Sequence, residues 1–318
     1  MPCPDCRLIL VATLNEKWGG WNAKTRRHDF SGIEANLSGL QCPPHVLFMS
    51  ECTRYNDFER EAFYKMLALL DALPAGTDPE GQPVGQGIYD GMLSKGPFLV
   101  HGPGVFYSRP TVRPRGWHDP DDQLVREVPA NSLNVEIAGR KLTLKAVHVS
   151  GRHGAVGFDA QFSLLGKFAE HPVLAGGDMN MCPTQENNPG YPMDLAREFD
   201  DNGTPWQRST KGIPAADGTW PPYTASYDAL LDHGYLDAAL LAGNHTPTVN
   251  PRHGGDAWMP IDRLIVSRQA PVRFVPSTYR VHPEKSHSDH YMVSCWARVA
   301  CAKHEQSDAD TAELDFAV

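Results

Sequence analysis

The chain has 318 residues, 41% of them hydrophobic and 21% charged, the composition of an ordinary soluble protein with enough apolar residues for a substantial core. A formal net charge of −9 excludes a protein that holds nucleic acid chiefly through a broad basic surface, but not a phosphodiester site whose positive charge comes from a metal ion. No apolar run reaches the roughly 20 residues that cross a membrane. The N-terminus lacks the basic and long apolar stretches of a secretory leader, so a cytoplasmic location is expected.

Seven cysteines, an odd number scattered along a long chain, fit reduced thiols better than a disulfide framework. Cys3 and Cys6 form a CxxC, readable as half of a zinc site or as a redox pair. With no second CxxC and no βαβ pattern before it, a frayed terminus is the expectation. The sequons at Asn36, Asn202 and Asn244 carry no weight without a secretory route.

Residues 8–14 are apolar and β-branched enough for a central strand, which ends at Asn15, by itself a turn residue as readily as a functional amide. Phe30, Ile33, Leu37 and Leu40 recur at helical spacing, and Pro43 and Pro44 stop that helix. A second buried strand over 45–50 runs into Glu51, a carboxylate costly to bury there unless it is paired or coordinates a cation. Asn56 and Asp57 are then expected to cap an amphipathic helix through Phe58, Ala62, Phe63, Met66, Leu67 and Leu70. Residues 74–104 are rich in glycine and proline and predict an excursion with little regular structure. A strand returns over 103–109, and the basic run of Arg109, Arg113 and Arg115 reads as a solvated loop ahead of a polyanion contact.

Residues 131–138 and 141–147 alternate as a hairpin about Gly139 and Arg140, and the second strand runs into His148, alone as readily structural as catalytic. A helix is predicted over 158–169. Residues 173–177 then form a short apolar strand that stops at Gly176 and Gly177 and presents Asp178 and Asn180, which could bind a cation and a phosphate oxygen or simply start a turn. Residues 182–227 are irregular, and Trp206, Trp220 and Tyr223 either stack on bases or, the preferred reading, plug the loop onto the core. Short helices are expected over 226–231 and 235–241, a strand over 260–266 with Asp262 near its start, and a last strand over 291–299 directly after Asp289 and His290. No repeat or linker divides the chain. One domain over 1–302 is expected, with an acidic, disordered tail over 303–318.

Each candidate is weak alone, but their order is specific: strand ends carrying Asn15, Glu51, His148, then Gly177-Asp178-Met179-Asn180, then Asp262, then Ser288-Asp289-His290 before a terminal strand. The chain resembles the endonuclease/exonuclease/phosphatase superfamily, metal-dependent phosphoesterases that include pancreatic-type deoxyribonuclease, abasic-site endonucleases, neutral sphingomyelinases and inositol-phosphate 5-phosphatases. The resemblance covers about residues 7–299, and Gly177 to Asn180 matches the family's GDxN. It implies an α/β fold, a four-layer sandwich of two mixed β-sheets packed face to face with helices outside.

The resemblance also implies roles. Glu51 corresponds to the main metal ligand, with Asp289 and Asn15 in the same environment, and the ion expected is Mg²⁺, with Mn²⁺ able to replace it. Asp178 corresponds to the aspartate that orients or deprotonates the attacking water, and Asn180 to a phosphate-holding amide. His290, paired with Asp262, and His148 would contact phosphate oxygens. Lys17 stands where several family members carry a second acidic residue, which favours a single ion. The expected substrate is a phosphodiester of DNA or RNA; alternatives are a small phosphoester (a nucleotide, a sugar or inositol phosphate, a lipid headgroup) or a noncatalytic binding module on the same scaffold. No obligate protein partner is implied.

Overall fold

The computed structural model describes residues 6–94, 102–118, 131–151, 154–184, 194–201, 203–249, 258–283 and 288–300. Strand β1 (Arg7–Leu14) is followed by the small pair β2 (Trp21–Asn22) and β3 (Arg27–His28), helix α1 (Ser31–Leu37), β4 (Val46–Met49) and helix α2 (Glu61–Asp71). Next come a second small pair, β5 (Gly76–Thr77) and β6 (Pro83–Val84), then β7 (Tyr89–Leu93), β8 (Gly104–Ser108), β9 (Arg113–His118), β10 (Ser132–Ile137) and β11 (Arg140–His148). Helix α3 (Gly154–Gly166) leads to β12 (Val173–Asp178), α4 (Leu195–Asp201), α5 (Arg208–Lys211), α6 (Ala225–Asp232), β13 (Tyr235–Asp237) and α7 (Ala238–Leu241). The chain closes through β14 (Asp262–Ser267), β15 (Val272–Phe274), β16 (Arg280–His282) and β17 (Met292–Val299).

One sheet has the order β15-β17-β1-β4-β8-β7, with β16 also on β17, and the other β13-β14-β12-β11-β10-β9. Both are mixed: β1 runs parallel to β4 but antiparallel to β17, and β11 runs parallel to β12 while β12 and β14 are antiparallel. Strands buried on both faces divide their side chains between two cores by the period of two. In β1, Ile9 and Val11 meet Leu144, Leu174 and Leu264 of the facing sheet, while Ala12 and Leu14 lie under Ile33 and Leu37 of α1 and Phe63, Met66 and Leu70 of α2. On the far side Val147, Val173, Ala175 and Ile265 pack against Phe158 and Phe162 of α3 and Tyr227 of α6. The result is the four-layer sandwich expected from the sequence. Among the described residues no helix is long and apolar enough to cross a membrane.

Several expectations require correction. The glycine- and proline-rich stretch contains β7, whose Tyr89, Gly91 and Leu93 pair with β8 and complete the sheet edge. The basic stretch at Arg113 and Arg115 is an edge strand on β10, with Arg115 ion-paired to Glu136. Residues 235–237 form a strand on β14 rather than part of a helix, because Asp237 caps α7 by accepting from the N–H groups of Ala239 and Leu240. Helix α2 begins at Glu61: Phe58, Glu59 and Arg60 have left-handed φ angles of 49–65° and cannot extend it. Trp220 and Tyr223 plug the loop as preferred, one against the cluster of Leu195 and Phe199, the other through a hydroxyl donated to Asp159, whereas Trp206 is exposed. Cys3 and the tail over 303–318 lie outside the described residues.

Two buried polar groups anchor this frame. Arg263 and Asp237 form a fully buried ion pair at 3.3 Å; Asp237 also accepts from the Tyr227 hydroxyl at 2.6 Å, and Arg263 Nε donates to the Pro260 carbonyl at 2.7 Å. Asp237→Ala removes the cap and leaves the guanidinium unpaired, so it is expected to cost roughly 3–5 kcal/mol in urea unfolding. Adding Arg263→Met should recover part of that loss. His45 Nδ1 accepts the Leu10 N–H at 2.9 Å, and burial, with Arg7 nearby, pushes its pKa down to about 4. Because the unfolded chain binds the proton more readily, this stabilisation is complete above an unfolded pKa near 6.5 and is lost as pH falls toward 4. Urea melts between pH 7 and pH 4 should therefore show a loss of about 3 kcal/mol at most from this group, reduced in His45→Asn, which keeps an acceptor.

Candidate functional site

At Gly176 and Gly177 of strand β12 the neighbours leave no room for a side chain. A Cβ at Gly177, whose φ is 147°, would lie 1.9 Å from the Val147 carbonyl oxygen, and one at Gly176 would lie 2.4 Å from the Phe48 ring of the facing sheet. Asp178, the last residue of β12, is in register with His148 on one side and with Asp262 on the other. Asn15 and Glu51 emerge from β1 and β4, adjacent parallel strands with Leu14 opposite Met49. Ser288, Asp289 and His290 arrive just before β17. Every candidate site residue thus belongs to a strand end or to the turn beside one.

The Asp178 carboxylate is the centre. Its Oδ1 accepts the Asn180 backbone N–H at 2.7 Å, and its Oδ2 accepts the side-chain amides of Asn180 at 3.0 Å and Asn15 at 3.1 Å. Asn180, with a left-handed φ of 50°, also donates its amide to the Val149 carbonyl at 2.8 Å, so both amide hydrogens are used within the protein. The Ser50 hydroxyl accepts the Asp178 N–H at 2.8 Å and donates to the Val147 carbonyl at 3.1 Å, tying the two sheets together behind the carboxylate.

Three further groups face Asp178 Oδ2 or each other across short gaps. His148 Nε2 is 3.8 Å from Asp178 Oδ2 and 3.9 Å from Glu51 Oε1, and His290 Nε2 is 4.0 Å from Asp178 Oδ2. These separations exceed hydrogen-bond length, so the groups border a common space. His290 Nδ1 and Asp262 Oδ2 are bonded at 2.8 Å, and Asp262 is anchored in turn by its N–H donated to the Thr248 hydroxyl.

The electrostatics follow from burial. Desolvation pushes the Asp178 pKa up to about 6, with Asp262 adding to the rise and His290, His148 and Lys211 opposing it. Burial alone would depress His290, but Asp262, Asp178 and Asp289 outweigh it and hold the imidazole well above its ordinary pKa. Glu16, whose carboxylate accepts from Asn36 on α1, is pushed up to about 7 by burial and by Asp289.

Among the described residues there is no group of three or more His, Cys, Asp and Glu side chains that could hold a metal ion by themselves. The donor set available is mixed. Glu51 Oε2 accepts the Trp18 N–H at 2.6 Å, and Asn15 Oδ1 is a buried acceptor with no hydrogen-bond partner. An orphaned amide oxygen beside a carboxylate fits a hard cation that keeps several waters. Asp289 is engaged otherwise, accepting from the Ser288 hydroxyl at 3.0 Å and facing Lys17 Nζ at 3.9 Å.

Sequence reasoning did not single out Ser50, Lys211 or Arg263. Ser50 carried a usable signal, since it precedes Glu51 at a strand end. Lys211, only 5% exposed, lies on a four-residue helix with no local pattern linking it to Asp178.

No protein-family model matches the sequence, and no curated protein does. Solved structures do. The chain is similar to an endonuclease/exonuclease/phosphatase from Bacteroides vulgatus at 14% identity, over 92% of this chain and 99% of that one, with a TM-score of 0.55. It is similar to TDP2 from C. elegans at 16% identity, over 92% of this chain and 75% of that one, with a TM-score of 0.54. A 3′ phosphatase, NExo, from Neisseria, bound to a product DNA hairpin, matches at 15% identity over 90% of this chain and 98% of that one, with a TM-score of 0.53. The chain therefore shares the fold of these solved endonuclease/exonuclease/phosphatase structures.

Proposed function

We propose that the chain is a divalent-cation-dependent hydrolase of phosphodiesters, with DNA or RNA as the substrate class. The observation that carries this reading is the meeting of Asp178, His148, His290 and Glu51, from four separate segments, around one space. The DNA hairpin bound by the similar 3′ phosphatase supports the substrate class. The net charge of −9 favours a second reading, the same chemistry on a small phosphoester.

Glu51 and the orphaned Asn15 amide oxygen would hold Mg²⁺ or Mn²⁺. Such an ion neutralises phosphate charge and polarises a P–O bond. Asp178, gripped by Asn15 and Asn180, has one fixed orientation from which to align a water, and with a pKa raised to about 6 it is a competent base at neutral pH. The water oxygen bonds to phosphorus, the ester P–O bond opposite breaks with its electron pair going to the leaving oxygen, the water proton passes to Asp178, and the leaving oxygen takes a proton from solvent. His290, kept charged by Asp262, stabilises a phosphate oxygen, and His148 does so from the other side. Asn180 holds Asp178 and reaches a phosphate oxygen only by giving up that bond.

Asp178→Asn and His290→Ala are each expected to lower kcat by roughly 10²–10³ or more while remaining folded, His290→Ala with a lower melting temperature because it leaves Asp262 buried and unpaired. Steady-state assays with circular dichroism melts check this, and retention of more than a tenth of the rate would remove the assignment. Chelation by EDTA should abolish turnover and added Mg²⁺ restore it. A panel of single-stranded DNA, duplex DNA, RNA, nucleotides, inositol phosphates and phospholipids separates the two readings: product from the small esters alone sinks the nuclease.

A further inference from the structure

The surface beside Glu51 has a composition unlike the rest of the chain. In a protein of net charge −9, the stretch from Lys17 to His28 carries Lys17, Lys24, Arg26 and Arg27 and no acidic residue. It folds back as a tight turn and the β2–β3 pair against the loop that follows Glu51. Between the two loops aromatic rings are layered. Trp21 stacks on Phe58 with centroids 6.1 Å apart and planes 19° apart, and the Arg54 guanidinium lies 5.0 Å over the Trp21 ring. Trp18 and Phe58 are 42% and 54% exposed.

Holding these rings in water costs backbone energy. Of the eight non-glycine residues with left-handed φ among those described, six lie in these two loops, Trp18, Arg54 and Phe58 among them. Each such conformation costs about 1–2 kcal/mol, and here the side chains gain little burial in return, a pattern that points to function. The loops are also latched to the reaction centre. The Trp18 N–H is bonded to Glu51 Oε2 at 2.6 Å, and the Tyr55 hydroxyl donates to the Gly19 carbonyl at 3.2 Å.

We propose that the Lys17–His28 stretch and the loop of Arg54 and Phe58 form a track for unpaired nucleotides flanking the cleaved phosphate, with Trp18 and Phe58 as stacking platforms. The inference rests on the phosphodiesterase reading above and narrows its substrate to single-stranded polynucleotide. Cationic side chains follow the phosphates while flat rings receive bases of any sequence. Bases in a duplex are already stacked on both faces, and a small phosphoester has no flanking nucleotide to reach this surface.

Binding tests it apart from turnover. Full-length protein carrying Asp178→Asn is titrated with fluorescently labelled oligothymidylate, oligouridylate and a duplex of the same length in Mg²⁺, followed by anisotropy. Trp18→Ala and Phe58→Ala should each weaken single-strand binding roughly tenfold, and Trp18→Phe should restore most of it. Arg26→Ala with Arg27→Ala should flatten the slope of log affinity against log salt by about 1.4. Affinities within twofold and an unchanged slope, in variants that melt like the parent, overturn the proposal, and so does tighter binding of the duplex. Hydrolysis of bis(p-nitrophenyl) phosphate by the wild-type protein reports the catalytic reading separately: its absence sinks that reading, and its presence beside a null binding result sinks only the track.

Discussion

The architecture depends on a close approach of backbones at Gly176 and Gly177. The Val147 carbonyl and the Phe48 ring occupy the volume that side chains at those positions would need. Strand β12 can therefore lie between β11 and β14 while the facing sheet packs directly on it. One residue later the chain presents Asp178, and the same registers that bring the strands together align it with His148 and Asp262. The geometry of the site is a consequence of sheet packing rather than of loop conformation.

That placement creates an electrostatic problem, which the site solves by pairing. Several carboxylates converge near one point, and isolated burial of any of them would be costly. Asp262 is neutralised by the histidine it holds at 2.8 Å, and the resulting charge on His290 offsets part of the burial of Asp178. Three amide donors satisfy Asp178, while Lys17 answers Asp289. Among the described residues of the site, Asn15 Oδ1 and Asp262 Oδ1 are buried acceptors without a protein donor. Unsatisfied acceptors in an otherwise completed network mark where the protein still has capacity for positive charge.

Much of this was legible along the chain because strands buried on both faces read as apolar runs, and a polar residue that interrupts the end of such a run stands out. Asn15, Glu51, His148 and Asp178 stand out as candidates in that way and Asp262 as a charge near a strand start, while the roles assigned to them come from the family resemblance. The method fails where the supporting signal is not local. Strand β7 was hidden in a glycine-rich stretch since its stability comes from pairing with β8. The left-handed turn at Phe58 to Arg60 contradicts an amphipathic pattern that reads as continuous helix.

Order and type of the polar strand ends, and the alternation of strands with amphipathic helices, were determined by the sequence itself, since both follow from periodic burial. Which of those polar groups share a space was decided only by the tertiary structure. Register between strands distant in sequence sets the neighbours of Asp178, and no local pattern encodes it. The same holds for Glu16 and Lys17: adjacent in the chain, one is buried against α1 and the other faces Asp289, because the chain leaves β1 just before them and the strand alternation no longer governs their directions.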